Sequence, residues 1–148
     1  MNRIDYYKEN PELFTKLREI RKEFDQFTLD ARLRAVIELR VSQINGCGYC
    51  IDLHSHEARV LGEDQQRLDM LPVWNESSFF DDRERAALAW AESVTMLSER
   101  HPEDFEYQEI LKFFSEQEVV ELTLIISMAN FWNRIAVSFN KHPIRKNA

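Results

Sequence analysis

Apolar positions recur along this chain at intervals of three and four, and strict two-residue alternation is nowhere sustained. Leu13, Leu17, Ile20 and Phe24 form such a stripe after Pro11, which suits the first turn of a helix, so a helix is expected over 11–24. Asp30 is placed to cap a second helix that turns Leu33, Val36, Ile37 and Val41 inward and ends at Asn45-Gly46. A third runs from about Cys47 to Leu61, with Gly62 at the position where helices commonly close in the left-handed region. A short helix is expected over 64–71, closed by Pro72. Asp81 with Glu84 makes a capping box ahead of Ala87, Leu88, Trp90, Ala91, Val94 and Leu97. Another short helix is expected over 103–113. Ser115 with Glu118 then opens the long last helix to about Asn140, and 73–80 is left as the longest loop.

The last helix is apolar on nearly every side, from Val119 and Val120 to Ala136 and Val137. Such a helix is central or lies at a subunit interface. In a chain of 148 residues it can hardly be enclosed by its own neighbours, so a homo-oligomer is expected.

Composition agrees with an all-α fold. Three Gly and four Pro are too few to supply the closely spaced turns of a β-sandwich or barrel. No internal repeat, low-complexity tract or Gly/Ser linker divides the chain, so residues 1–148 are read as a single domain able to bury a core without staples. Lys and Arg total 19 against 26 Asp and Glu, a net charge of −7, which argues against nucleic acid or an anionic membrane as partner. Residues 1–20 are dense in charge and lack the apolar run of a secretory signal. The apolar stretch 119–139 is broken by Glu121, Asn130, Asn133 and Arg134, so it is not expected to span a membrane. A cytoplasmic location is expected. In that reducing compartment a close cysteine pair is more often catalytic or metal-binding than structural.

Both cysteines fall in Gly46-Cys47-Gly48-Tyr49-Cys50-Ile51-Asp52-Leu53-His54. Two of the three glycines flank Cys47, which suggests a tight helix start and a close backbone approach. Steps of three and then four from Cys47 to Cys50 to His54 put the three side chains along one helical face. A helix N-terminus favours thiolate over thiol, and His54 can carry a proton near neutral pH. A thiolate attacking a peroxide becomes a sulfenic acid, which a neighbouring thiol converts to a disulfide. An external dithiol then restores the pair by exchange. Zinc is the rival reading, with Asp52 or His56 as a fourth ligand, but both point away from the cysteine face and no second Cys/His cluster exists. No metal and no cofactor are expected. Covalent haem is excluded because Ile51, not His, follows Cys50.

The stretch from Leu39 to His54 resembles the core signature of the alkylhydroperoxidase AhpD-like, or carboxymuconolactone decarboxylase, family. Glu84-Arg85-Ala86-Ala87-Leu88-Ala89-Trp90-Ala91-Glu92 and Asn130-Phe131-Trp132-Asn133-Arg134 extend the likeness over most of the chain. The resemblance implies an all-α fold assembling as a trimer or hexamer. It also implies reduction of organic hydroperoxides by a Cys-x-x-Cys pair, with electrons from a small dithiol or a lipoyl- or thioredoxin-type reductant. Carried over residue by residue, Cys47 and Cys50 are the redox pair and His54 the proton-transfer partner. The family's further Glu, twelve positions before the first cysteine, is here Ala35. Glu38, one turn later, is the candidate to replace it; the alternative is a surface Glu paired with Arg34 or Arg40.

The helix terminus favours Cys47 as the attacking thiolate, while adjacency to His54 and the family precedent favour Cys50. Cys50 is taken as the attacking thiol and Cys47 as the resolving one. Tyr49 either shapes the mouth or packs. His56 is expected to face solvent, Trp132 and Asn133 to be core, and Arg134 to pair with Glu38 or Glu92. Lactone decarboxylation or isomerisation, the family's other activity, needs no cysteine pair, and a non-catalytic redox-sensing thiol module is the third reading.

Overall fold

The computed structural model describes residues 3–145, so the ends of the charged stretch 1–20 and of the chain lie partly outside the described residues. Among these it is built of eight α-helices, as an all-α chain should be: α1 (Tyr6–Glu9), α2 (Pro11–Glu23), α3 (Ala31–Ile44), α4 (Gly48–Val60), α5 (Gln65–Met70), α6 (Asp82–Thr95), α7 (Asp104–Ile110) and α8 (Glu116–Ser138). The expected caps are formed: Asp30 accepts from the Leu33 N–H, and the boxes Asp81/Glu84 and Ser115/Glu118 both close. Asp64, read as a helical residue, instead caps α5 by accepting from the Arg67 N–H. No helix among the described residues is long and apolar enough to cross a membrane.

The central helix is α3 rather than α8. Helices α4, α6 and α8 all pack on α3, and Leu33, Val36, Ile37, Leu39 and Val41 are buried around most of its circumference. Helix α8 turns Val119, Leu122, Ile125, Ile126 and Ala129 into this core but leaves Val120, Leu124, Phe131 and Val137 exposed.

Three local expectations are corrected. In α2 the inward residue is Phe14, while Leu13 and Ile20 are about half exposed. The cause is the four-residue α1, which the charge-dense sequence conceals: Phe14 packs on Tyr6, Tyr7 and Trp132, and this aromatic cluster sets the rotation of α2. Part of the expected loop 73–80 belongs to a 3-10 segment, Leu71–Glu76, tied down where the Trp74 indole donates to Glu92 at 2.7 Å. Helix α6 stops at Thr95, so Leu97 lies beyond it and is exposed.

Carboxylates fasten the periphery. Burial alone would raise the Glu121 carboxyl, but hydrogen bonds from Gln117, the Thr28 hydroxyl and the Thr28 and Leu29 backbone N–H groups outweigh it and hold it below its ordinary 4.5. The Arg100 hydrogen bond, against opposing burial and with help from Ser93, lowers Glu106 to about 2. Both groups bind a proton less readily when folded, so their stabilisation is complete above 4.5 and is lost as pH falls toward 2. The urea midpoint should therefore hold from pH 7 to 5 and drop steeply between pH 4.5 and 2.5, less steeply in Glu121→Gln.

Candidate active site

The two cysteines sit where α3 turns into α4. Gly46 takes φ +66°, a conformation costly for any residue with a Cβ. The turn is held by the Cys47 N–H donating to the Ser42 carbonyl at 3.0 Å. It is anchored to α8 by the Asn45 amide, which donates to Asn133 at 2.9 Å and to Asn130 at 3.0 Å, and by Asn133, which donates to the Ser42 hydroxyl at 3.0 Å. Asn130 and Asn133 therefore fix the turn that carries the cysteines. Neither glycine makes the close approach read from the sequence: a Cβ at Gly46 would meet nothing within 4 Å, and one at Gly48 would meet Pro143 at an ordinary 4.0 Å.

Cys47 is the N-cap of α4, its sulfur accepting from the Cys50 N–H at 3.3 Å, and the two sulfurs are joined as a disulfide across a Cα separation of 5.3 Å. Both residues are almost fully buried. They are not equivalent. Cys50 lines a cavity of about 270 Å³, while Cys47 lies behind it, off the cavity wall and against Ala136 of α8. His54, one turn after Cys50 on α4, lines the same cavity and is buried.

Glu38 reaches this site. It is 2% exposed, lines the cavity and has its carboxylate 3.7 Å from His54 Nδ1. Its cation is neither Arg34, which pairs with Asp25, nor Arg40, which pairs with Glu92, but Arg21 of α2, at 3.0 and 3.2 Å from the two oxygens. A second carboxylate comes closer: Glu57 Oε2 lies 2.8 Å from His54 Nδ1 and 3.6 Å from Arg21. Burial would raise the Glu57 carboxyl, but the hydrogen bond from His54 and the charges of His54 and Arg21 keep it below its ordinary value. An ionised carboxylate can only accept, so Nδ1 is the donor in this hydrogen bond.

Glu57 and Arg21 were not singled out in the sequence. The His54-x-x-Glu57 spacing is a visible signal, because residues three apart on a helix meet. Arg21 gives none, since it arrives from a helix whose rotation is set by aromatic packing. The other candidates divide. Of its two readings Tyr49 takes the first and lines the cavity, and His56 is exposed as expected. Trp132 forms cavity wall, whereas Asn133 is core. Arg134 pairs with neither Glu38 nor Glu92, since Arg21 and Arg40 already hold those carboxylates; it lies exposed on α8 and donates to the Asn130 carbonyl and side-chain oxygens at 3.1 and 2.9 Å.

The oxygen and nitrogen atoms of Glu38, His54 and Glu57 lie within 4.8 Å of one another, close enough to share a cation. Arg21 supplies that positive charge in place, and the cluster contains neither cysteine. Asp52 and His56, weighed from the sequence as a fourth zinc ligand, are exposed on α4 and lie outside this cluster.

Residues 9–93 match the carboxymuconolactone decarboxylase family. The chain belongs to that family. It is 35% identical over 144 residues to the uncharacterized protein YdfG of Bacillus subtilis, covering 97% of this chain and 98% of YdfG. Among solved structures it is similar to ATU0492 of Agrobacterium tumefaciens, a protein of unknown function whose name ties it to antioxidant defence and AhpD, at a TM-score of 0.94 and 36% identity over 98% of this chain and all of that one. It is also similar to the debrominase Bmp8, solved apo and with 2,3,4-tribromopyrrole, at a TM-score of 0.82 and 26% identity over 93% of this chain and 73% of Bmp8. The carboxymuconolactone decarboxylase fold is thus shared over essentially the whole described chain.

Proposed function

We propose that this chain is a thiol-dependent peroxidase of organic hydroperoxides, working in the cytoplasm and recharged by a dithiol of the lipoyl or thioredoxin type. In the reduced form the Cys50 thiolate attacks the outer peroxide oxygen, the O–O bond breaks, and the leaving alkoxide takes a proton from His54. The resulting Cys50 sulfenic acid is attacked by the Cys47 thiol, which closes the disulfide and releases water. Exchange with the external dithiol returns two electrons and two protons. No cofactor is needed for this balance.

The observation that carries the reading is the placing of Cys50 on a cavity wall one turn from a buried His, with Cys47 in bonding reach behind it. Consumption of cumene hydroperoxide with a dithiol should be catalytic in the wild type and absent when both cysteines are serine. Turnover persisting in that double variant would sink the proposal.

Reductive debromination is a second reading, supported by the aromatic wall of Tyr6, Tyr7, Tyr49 and Trp132 and by the likeness to Bmp8. The same pair could replace C–Br by C–H, releasing bromide and a proton as the disulfide forms. Bromide release from tribromopyrrole, with no peroxide turnover, would favour it.

The exposed apolar residues of α8, Val120 at 60%, Leu124 at 46% and Phe131 at 36%, share one stripe at intervals of four and seven. They suit a contact between copies of this chain in a homo-trimer or homo-hexamer. Native mass should show that assembly, and Leu124→Glu should reduce it to smaller species while helical circular dichroism is kept.

A further inference from the structure

The charges that meet the cavity do not cancel. Arg21, Glu38 and Glu57 are occupied with one another and with His54. Arg18 and Lys22, successive turns of α2, also line it and are both exposed, so they stand at its open rim. Neither has a carboxylate partner among the described residues, and Arg18 is held toward the cavity with its guanidinium 5.2 Å from the centre of the Tyr7 ring. Arg18, Arg21 and Lys22 against Glu38 and Glu57 leave the lining one positive charge in excess, and in a chain of net charge −7 a local field of that sign selects anions. Deeper in, Ala129, Trp132 and Ala136 offer apolar wall, and the exposed Leu53 adds an apolar edge nearer the mouth. A volume of about 270 Å³ lies at the small end of ligand pockets, so the occupant is compact.

Resting on the peroxidase reading, we infer that the substrate is a small aryl or branched-alkyl hydroperoxide carrying a carboxylate, with its apolar body against Trp132 and Leu53 and its carboxylate at Arg18 and Lys22. Cys50 takes the outer peroxide oxygen as sulfenic acid, the inner oxygen leaves as the alcohol after gaining a proton, and Cys47 and the dithiol complete the two-electron balance. The product is a hydroxy acid.

Cumene hydroperoxide and its para-carboxylate share a reacting centre and differ only in the charged group. At low salt the wild type should show a KM about five- to tenfold lower for the carboxylate, a preference that fades at high ionic strength. Arg18→Gln combined with Lys22→Gln should bring the ratio of the two KM values to near one. Equal KM values in the wild type, or a preference untouched by the double substitution, would overturn the inference. Binding of the corresponding alcohols, 2-phenyl-2-propanol and its para-carboxylate, followed by calorimetry, requires no turnover. If neither hydroperoxide is consumed, the peroxidase reading fails. Tighter binding of the charged alcohol, abolished in the double variant, then still supports the ligand class, and equal binding of the two alcohols defeats it.

Discussion

Cys50→Ser is expected to abolish peroxide consumption, by roughly 10⁴-fold or more, the scale on which removal of a covalent nucleophile acts. Cys47→Ser is expected to fail differently. With Cys50 intact it should consume about one equivalent of cumene hydroperoxide per chain and then stop, leaving a sulfenic acid that a dimedone-type probe labels at Cys50. The asymmetry follows from placement: both are buried, but Cys50 forms part of the cavity wall and stands one turn from His54, whereas Cys47 lies off that wall and packs behind it. A peroxide in the cavity therefore meets one sulfur, and the other meets only its partner. Substituting either cysteine removes the disulfide from the oxidised chain but leaves the hydrogen bonds of Asn45, Asn133 and Ser42 that hold the turn, so both variants should fold. Rapid mass spectrometry after a single peroxide addition reads the difference directly. A single-equivalent burst in Cys50→Ser and none in Cys47→Ser would reverse the assignment.

The elements with their own local signals were legible in the sequence. Helix starts at Asp30, Asp81 and Ser115 depend on short-range hydrogen bonds that residue spacing alone specifies, and all three form. The Cys-x-x-Cys-x-x-x-His run was legible for the same reason, since one helical turn brings Cys50 and His54 to one wall. What could not be read was orientation set by distant partners. The stripe Leu13, Leu17, Ile20 suggested an inward face for α2, but aromatic packing of Phe14 on Tyr6 and Trp132 turned the helix and delivered Arg21 to Glu38 instead. Arg134 could be assigned a carboxylate only while the partners of Glu38 and Glu92 were unknown. The apolar surface of α8 left a central place and a subunit interface both open; α4, α6 and α8 all pack on α3, so α3 takes the centre and the apolar excess of α8 faces outward.

His54→Gln should lower kcat/KM for hydroperoxide by about 10²–10⁴-fold, the range of a lost general acid–base group. The substitution keeps a polar side chain of similar reach, so loss of activity with an unchanged melting profile would isolate proton transfer from packing. The carboxylates behind the ring carry separate parts of this effect. Glu57 accepts from Nδ1 at 2.8 Å, whereas Glu38, buried and clamped by Arg21, lies 3.7 Å from the same atom. A carboxyl held below its ordinary 4.5 stays ionised throughout the working range, so Glu57 should not titrate between pH 5 and 8 and its hold on the ring fails only as pH drops below 4.5. Glu57→Gln should therefore cost less than His54→Gln, since the amide oxygen can still accept from Nδ1 while its charge is lost. It should lower kcat more than it raises KM and shift the pH profile of kcat/KM, a response that simple packing at a part-exposed residue would not produce. Profiles of wild type and Glu57→Gln that superimpose from pH 4 to 9 would remove Glu57 from the relay and leave Glu38 as the only carboxylate behind the imidazole.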